Sequence, residues 1–188
     1  MDIDKCKNKK IGPTIIPYSS DGAKEFLFGQ INGVNQTTVS ISVGFGDSRE
    51  ILTQSTQPID FINGAGENGI TAFTLPRSGC LESLSVSATI TDVSDIPEET
   101  IITLTAQLFK AKCDSSIFIP IPETQIILAP SITSTSLIGT VFNGSIKKIN
   151  YPLNKLDHLA LLFIASISTP VEDGFFFEAN ISGGITIV

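Results

Sequence analysis

Apolar and polar residues alternate along most of this chain with the period of two that is typical of an extended strand. In 38–45 the odd positions are Val, Ile, Val and Phe, and the even positions are Thr, Ser, Ser and Gly. In 84–90 and in 102–108 the even positions are apolar and the odd positions are polar. Because alternate side chains of a strand point to opposite faces, each run predicts a strand with one face in a core and the other in water.

Shorter runs of the same character predict further strands at 70–75, 125–128, 137–142, 159–168 and 175–188. The segment 92–99 breaks the alternation between two of the longer runs, which predicts that these two strands form a hairpin. No stretch of about a dozen residues shows the helical period. Turn residues recur every 8–15 residues or so, about the spacing of a sandwich or jelly roll. The sequence therefore predicts an all-β, antiparallel jelly-roll sandwich.

One predicted strand departs from the alternation. The run 159–164 reads Leu-Ala-Leu-Leu-Phe-Ile and is apolar on both faces. In an antiparallel sheet one face normally meets water, so the second face of this strand needs a cover. Phe176 likewise stands alone on the polar face of the last strand. Two explanations stay open at this point, a central position within one sandwich and burial against a second subunit.

Composition and charge narrow the classes of function. The chain has 188 residues, 41% of them hydrophobic and only 16% charged, which fits one domain with a well-filled core and excludes disorder as the main state. A formal net charge of −7 disfavours nucleic acid and anionic membranes as partners. No run approaches the roughly 20 apolar residues of a membrane span, and the N-terminus has no apolar segment of a secretory signal. We expect neither a nucleic-acid partner nor a membrane partner.

Residues that could carry catalysis are scarce. His158 is the only histidine, and no Gly-X-Ser-X-Gly motif presents a serine nucleophile. The glycine-rich stretches at 44–46 and 63–69 are not followed by the Lys-Ser/Thr of a phosphate-binding loop. The sequence predicts no catalytic residue, no metal site and no cofactor, and thus a protein that is not an enzyme.

The three cysteines are Cys6, Cys80 and Cys113, and their spacing matches no zinc motif and no Cys-X-X-Cys pair. Cys80 and Cys113 belong to opposite ends of the predicted hairpin, but the alternation places them on opposite faces. A disulfide between them would need a bulge that shifts this parity, so it is the less favoured arrangement. Cys6 lies in a Lys-rich tail, where it could cross-link two chains.

An ordered set of short motifs resembles the C-terminal domain of the BclB-type exosporium glycoproteins of Bacillus and its relatives. The resemblance covers about residues 15–188 and is carried by these pieces in this order: Ile15-Ile16-Pro17-Tyr18-Ser19-Ser20, Phe73-Thr74-Leu75-Pro76-Arg77-Ser78-Gly79, Thr103-Leu104-Thr105-Ala106-Gln107-Leu108-Phe109, Ile117-Phe118-Ile119-Pro120-Ile121-Pro122 and Ile127-Leu128-Ala129-Pro130. It implies a tumour-necrosis-factor-like jelly roll that forms a tight trimer on the outermost layer of a spore. A trimer would explain the doubly apolar strand, and we expect Leu159, Leu162, Ile164 and Phe176 at its interface.

The N-terminus adds a second resemblance. Ile11-Gly12-Pro13-Thr14 is similar to the core of the leader that targets such glycoproteins to the exosporium. The collagen-like Gly-X-Y repeats that usually follow the leader in the family are missing here. We therefore divide the chain into an extended docking peptide at 1–16 and a jelly-roll trimerisation domain at 17–188. The expected docking residues are Ile11, Gly12, Pro13, Thr14, Ile15 and Ile16.

Prolines 13 and 17 favour an extended peptide whose isoleucines lie outside the core and need a groove or a sheet edge. The molecule that supplies this groove or edge is either another exosporium protein or the neighbouring trimer. In the second case, subunits would join head to tail into a fibre. Cys6 could lock either junction as an intermolecular disulfide. We accordingly expect a structural subunit of the spore surface, in the exosporium or in an appendage fibre.

The alternative is an anchored adhesin or a ligand-binding head on the spore surface. The chain has no Trp and two Tyr, a composition that disfavours sugar stacking but leaves other ligands open.

Overall fold

The computed structural model describes residues 12–31, 34–51, 58–60, 71–168, 171 and 173–188. Strands dominate these residues, together with a short 3-10 helix at Pro122–Thr124. The strands are β1 (Thr14–Ser19), β2 (Lys24–Ile31), β3 (Val34–Gln36), β4 (Thr38–Val43), β5 (Ser48–Ile51), β6 (Ile59–Asp60), β7 (Phe73–Thr74), β8 (Gly79–Val93), β9 (Ile102–Ala111), β10 (Ile117–Pro120), β11 (Ile126–Ile127), β12 (Val141–Leu153), β13 (His158–Ile167) and β14 (Phe175–Ile187).

The strands form two antiparallel sheets packed face to face. Sheet 1 has the order β12-β8-β14-β2-β3, with β1 also on β14, and sheet 2 has the order β5-β4-β13-β9-β10-β6, with β11 on β9 and β7 on β13. Strands β1 and β2 follow β14 one after the other, as β10 and β11 follow β9, so each pair is one interrupted strand. The eight main strands, numbered from 1 to 8 along the chain, are then β1/β2, β4, β8, β9, β10/β11, β12, β13 and β14. In this numbering the sheets have the strand orders 1-8-3-6 and 2-7-4-5, the arrangement of a jelly roll. The predicted fold class is confirmed.

Two local predictions were wrong. Strands β8 and β9 are not a hairpin, because β8 belongs to sheet 1 and β9 to sheet 2, and the link between them crosses the end of the sandwich. Alternation specifies only that each strand has one buried face. It does not specify whether two successive strands belong to the same sheet or to two sheets that face each other. The strand predicted at 137–142 begins only at Val141, because Leu137 and Thr140 close a turn ahead of it.

The main core fills the space between the sheets. It takes the even positions of 84–90 and 102–108 and the odd positions of β4, as the alternation predicted. Four phenylalanines of β2 and β14 stack across the strand pair, with ring centroids 4.6 Å apart for Phe26 and Phe177 and 5.2 Å apart for Phe28 and Phe175. Stacked pairs of this kind add to the burial of the rings themselves.

A second, smaller core lies on the outer face of sheet 2. Ile51 of β5, Ile59 of β6 and Phe118 of β10 contribute to it from the margins of the sheet. Beneath them are side chains of the two central strands β9 and β13: Phe109, Ala111, Ala160, Leu162 and Ile164. Strand β13 is therefore buried on both of its faces within one chain.

The sandwich has two distinct ends. At the end that we call the base, the described chain begins at Gly12, and the Arg77 side chain donates a hydrogen bond to the Gly12 carbonyl. The Cys80 and Val188 backbones bond to each other there. At the opposite end, the far end, lie the link 94–101 between β8 and β9 and the long loop 128–140. Strand β14 spans the molecule from the far end at Phe175 to the base at Ile187.

Candidate docking and assembly surfaces

The N-terminal strand β1 lies along the basal half of β14, with Thr14 opposite Ile187 and Ser19 opposite Ser182. Ile16 is 4% exposed and belongs to the main core, whereas its neighbour Ile15 is 72% exposed. The predicted boundary between residues 16 and 17 falls inside this strand, so assigning Ile16 to an exposed docking peptide was wrong. Alternation along a paired strand forces one of two successive isoleucines inward.

The rest of the predicted docking peptide is at the surface or beyond the described chain. Gly12, Pro13 and Thr14 are exposed, as Ile15 is, and Ile11 lies outside the described residues. Arg77 holds this segment at the base, because its Nη2 donates to Thr14 Oγ1 at 2.7 Å and to the Gly12 carbonyl at 3.4 Å. The guanidinium thus fixes the direction in which the chain reaches the base.

Tyr18 anchors the other half of β1. Its ring is buried in the main core beside Phe45, and burial raises the pKa of its hydroxyl well above the ordinary value. The hydroxyl has no hydrogen-bond partner among the described residues. An unpaired buried hydroxyl costs free energy, so the ring's apolar contacts outweigh that cost.

The four residues predicted at a trimer interface do not share a surface. Leu159 lies in the main core, and Leu162 and Ile164 lie in the second core, so none of the three is available to a partner subunit. Their assignment to the interface was wrong, because Ile51, Ile59 and Phe118 of the same chain share the outer core with Leu162 and Ile164. Phe176 is only partly buried, and its backbone pairs with Ser94 at the far end.

The outer face of sheet 1 carries small polar side chains in aligned rows. One row runs across β12, β8, β14 and β1 through Asn143, Ser87, Ser182 and Ser19. The row beside it consists of Ser145, Ser85, Gly184 and Pro17. Such short side chains leave a low surface that another sheet could approach closely. In contrast to the outer face of sheet 2, no apolar cluster of the described chain covers it.

The cysteines occupy different settings. Cys80, at the start of β8 near the base, is disulfide-bonded. Cys113 is free and exposed, so a bond between Cys80 and Cys113 does not form, in keeping with the parity argument. Cys6, for which we predicted an intermolecular disulfide, lies outside the described residues.

An ion pair lies at the start of β2, and a hydrogen bond from Ser48 of β5 joins it to the second sheet. The Asp21 carboxylate contacts Lys24 Nζ at 2.6 Å and accepts a hydrogen bond from Ser48 Oγ at 2.6 Å. The Lys24 ammonium and then the Ser48 hydroxyl lower the pKa of Asp21 from 3.8 to about 2. The carboxylate therefore stays ionised well into the acid range.

His158 and its neighbours have structural roles. His158 Nδ1 lies 2.9 Å from Thr74 Oγ1, which joins β13 to β7. The adjacent Asp157 is buried, accepts a hydrogen bond from the Asn154 backbone N–H and pairs with Lys110 at 3.6 Å. Within the described ranges, no three His, Cys, Asp or Glu side chains are placed to share a metal ion. A search of the same ranges found no helix with the length and apolar character to cross a membrane.

Comparison with solved structures yields a distant likeness. A structure of infectious bursal disease virus, Gx strain, is similar over 94% of this chain, with 11% identity and a TM-score of 0.43. This chain covers 32% of the viral chain, about a third of its length. No family model and no curated protein matches the sequence.

Sequence reasoning missed the role of Arg77 and the rows on sheet 1. The serines of β8 were read only as a solvent face, although their pairing with equally short residues on β14 gives that face its flatness. The run Ser-Gly-Gly at 182–184 was an available signal, since adjacent glycines within a strand point to a close approach of backbone or side chains. Nothing local marked Arg77, because its partners are more than sixty residues away in sequence.

Proposed function

We propose that this chain is a structural subunit of the bacterial spore surface, part of the exosporium or of an appendage fibre. In this proposal it assembles as a homotrimer and attaches through its N-terminal segment. The observation that carries the proposal is the arrangement of that segment, in which exposed Gly12 to Ile15 lead from the base into an edge strand anchored by Ile16 and Tyr18. A short tether rooted in a rigid sheet transmits force directly to the domain, which suits a subunit of a surface layer.

The ordered motifs that resemble the BclB-type domain, and the leader-like Ile11-Gly12-Pro13-Thr14, support the location on a spore. The same resemblance supports the trimer. With the outer face of sheet 2 covered by the second core, the low, small-residue face of sheet 1 is the sheet surface left for contact between subunits. We therefore transfer the proposed trimer contact from β13 to sheet 1.

The location is tested by removing residues 1–11 and keeping β1 intact. Full-length and shortened chains are expressed in a spore-forming Bacillus host, and immunogold labelling of intact spores measures their surface density. We expect the full chain at the surface and a loss of most labelling for the shortened chain. Equal labelling of both would refute docking through the N-terminal segment, and labelling of neither would refute the location.

The trimer is tested on sheet 1 itself by native mass spectrometry. Ser87→Arg places a long charged side chain in the middle of the small polar face, and Ser134→Arg places the same side chain on an exposed loop as a control. We expect a trimer for the parent and for Ser134→Arg, and a folded monomer for Ser87→Arg. A Ser87→Arg trimer would contradict this contact, and a monomeric parent would contradict the trimer.

A further inference from the structure

Large apolar side chains are exposed on two segments at the far end of the sandwich. Leu137 is 72% exposed and Ile138 is 64% exposed, in the turn that precedes β12. The Gly139 N–H bonds to the Ile90 carbonyl, which fixes this turn against the end of β8. Exposed Ile101 precedes Ile102, whose backbone pairs with Ile132 of the same long loop. Apolar side chains concentrated in this way indicate a contact surface.

Exposed acidic side chains lie at the same end of the sandwich. Four exposed carboxylates lie in the β8–β9 region, namely Asp92, Asp95, Glu98 and Glu99, and Asp173 adds a fifth. Over the described parts of the links between strands at this end, the sequence contains no Lys and no Arg. The far end therefore combines exposed apolar side chains with these five carboxylates, which we call the rim. Such a surface selects a partner that is both apolar and basic.

The base and the segment before it have the complementary character. The exposed or partly exposed cations Arg77, Lys112 and Lys155 lie at the base with one exposed carboxylate, Asp114, and Leu156 is exposed beside Lys155. The eleven residues before Gly12 contain four Lys and two Asp, a net charge of +2 (4 − 2), together with Met1, Ile3 and Ile11. The chain thus carries a basic, partly apolar segment at one end and an acidic, partly apolar surface at the other.

The N-terminal segment is too short for its lysines to reach the far end of the same chain. The distance along β14 from Ile187 at the base to Phe175 is about 40 Å at 3.3 Å per residue. Lys5 is the lysine farthest from Gly12, and the seven residue-to-residue steps from Gly12 to Lys5 span at most about 25 Å when fully extended. The lysines therefore reach the far end of another copy but not of their own.

We propose that the far end, formed by the 92–101 and 128–140 segments, receives residues 1–11 of a second copy of this chain. This inference rests on the proposed head-to-tail assembly and names the surface that accepts the segment. Apolar side chains of the segment contact Leu137, Ile138 and Ile101, while its lysines face the carboxylates of the rim. Because donor and acceptor are different surfaces, the contact is heterologous and repeats without closing.

The test uses the full-length chain and neutralises the rim with the triple variant Asp95→Asn, Glu98→Gln, Glu99→Gln. A matched control removes the same amount of charge from exposed acids on the sides of the molecule, through Glu50→Gln, Glu82→Gln and Glu123→Gln. Sedimentation velocity measures end-to-end association of trimers, and native mass spectrometry measures the trimer separately.

We expect the rim variant to weaken association about tenfold, because a few exposed charge pairs that each contribute little are lost together. The control should leave association unchanged. Raising NaCl from about 20 mM to about 500 mM should weaken the association of the parent and have little effect on the rim variant, because salt shortens the Debye length. A double reversal should restore association that either reversal alone abolishes. It combines Asp95→Lys, Glu98→Lys and Glu99→Lys with Lys5→Glu, Lys7→Glu, Lys9→Glu and Lys10→Glu.

Several results would overturn the inference. An equal loss in the rim variant and in the control would mean that net charge, rather than this surface, sets association. Failure of the double reversal to restore association would exclude the pairing of segment and rim. Trimers that reach the spore surface but never associate end to end would leave the proposed function standing and refute this inference alone, and would favour an external ligand for the far end.

Discussion

The replacement Leu162→Ala tests the second core and the corrected position of β13. Leu162 is 0% exposed and packs on the outer face of sheet 2. Replacing a fully buried Leu by Ala costs about 2–5 kcal/mol, as lost burial plus the cavity left behind. The cover over Leu162 includes the short strands β5 and β6, which can settle into part of the cavity. We therefore expect a loss in the lower half of the range, about 2–3 kcal/mol.

The assay is guanidinium unfolding followed by far-ultraviolet circular dichroism, since the chain has no Trp to report by fluorescence. Ile127→Ala is the matched control, because Ile127 lies on the same outer face, opposite Thr105, but is 65% exposed. Ile127→Ala should lower the free energy of unfolding by less than about 0.5 kcal/mol, as most surface substitutions do. The oligomer mass of Leu162→Ala should equal that of the parent wherever the variant is folded.

If Leu162 instead lay between subunits, its replacement would dissociate the assembly and leave a folded monomer of nearly unchanged stability. That result, or a loss no larger than that of Ile127→Ala, would refute a second core within the chain.

Three further perturbations follow from the packing. Gly29→Ala should cost more than about 2 kcal/mol in thermal or denaturant unfolding, because Gly29 has φ +109° and an added Cβ would lie 2.7 Å from the Gly174 Cα. Asp157→Asn should cost about 2–3 kcal/mol, somewhat less than a fully buried pair, because it leaves the Lys110 side chain, which is 18% exposed, without its carboxylate. Asp21→Asn should flatten the acid limb of the stability–pH curve.

The sign for Asp21 follows from its lowered pKa. The ionised carboxylate is favoured in the folded state, so its contribution is complete above the ordinary pKa of 3.8 and disappears as the pH falls toward about 2. Unfolding curves of the parent and of Asp21→Asn should therefore converge through this window. Curves that stay parallel between these pH values would show that the ion pair with Lys24 does not form.

The remaining two replacements have their own controls. Gly139→Ala tests the same kind of backbone, φ +88°, at a turn where an added Cβ meets nothing within 4 Å, and it should cost clearly less than Gly29→Ala. Lys110→Met beside Asp157→Asn separates the charge from the packing of the lysine stem over the Tyr151 ring. A neutral outcome for Asp157→Asn would mean that water, rather than Lys110, satisfies the carboxylate.

Strand identity and inward faces were predictable because they depend on neighbours in sequence. The even positions of 84–90 and 102–108 are apolar, and they are the positions that enter the main core. The sheet to which each strand belongs was not predictable in this way. The sequence of the link between β8 and β9 is compatible both with a turn within one sheet and with a crossing to the other sheet. We predicted a turn within one sheet, and the link in fact crosses to the other.

The alternation of residue types was enough to predict an all-β chain with a filled core, and it marked β13 as a strand that needs two covers. What those covers are depends on the folded chain, because Ile51, Ile59 and Phe118 come from three separate segments and meet Leu162 through long-range packing. The same holds for Ile16, whose burial is set by its pairing opposite Ile185, near the C-terminus of the chain. Local pattern fixes which residues must be buried, whereas the partner that buries them is a property of the whole fold.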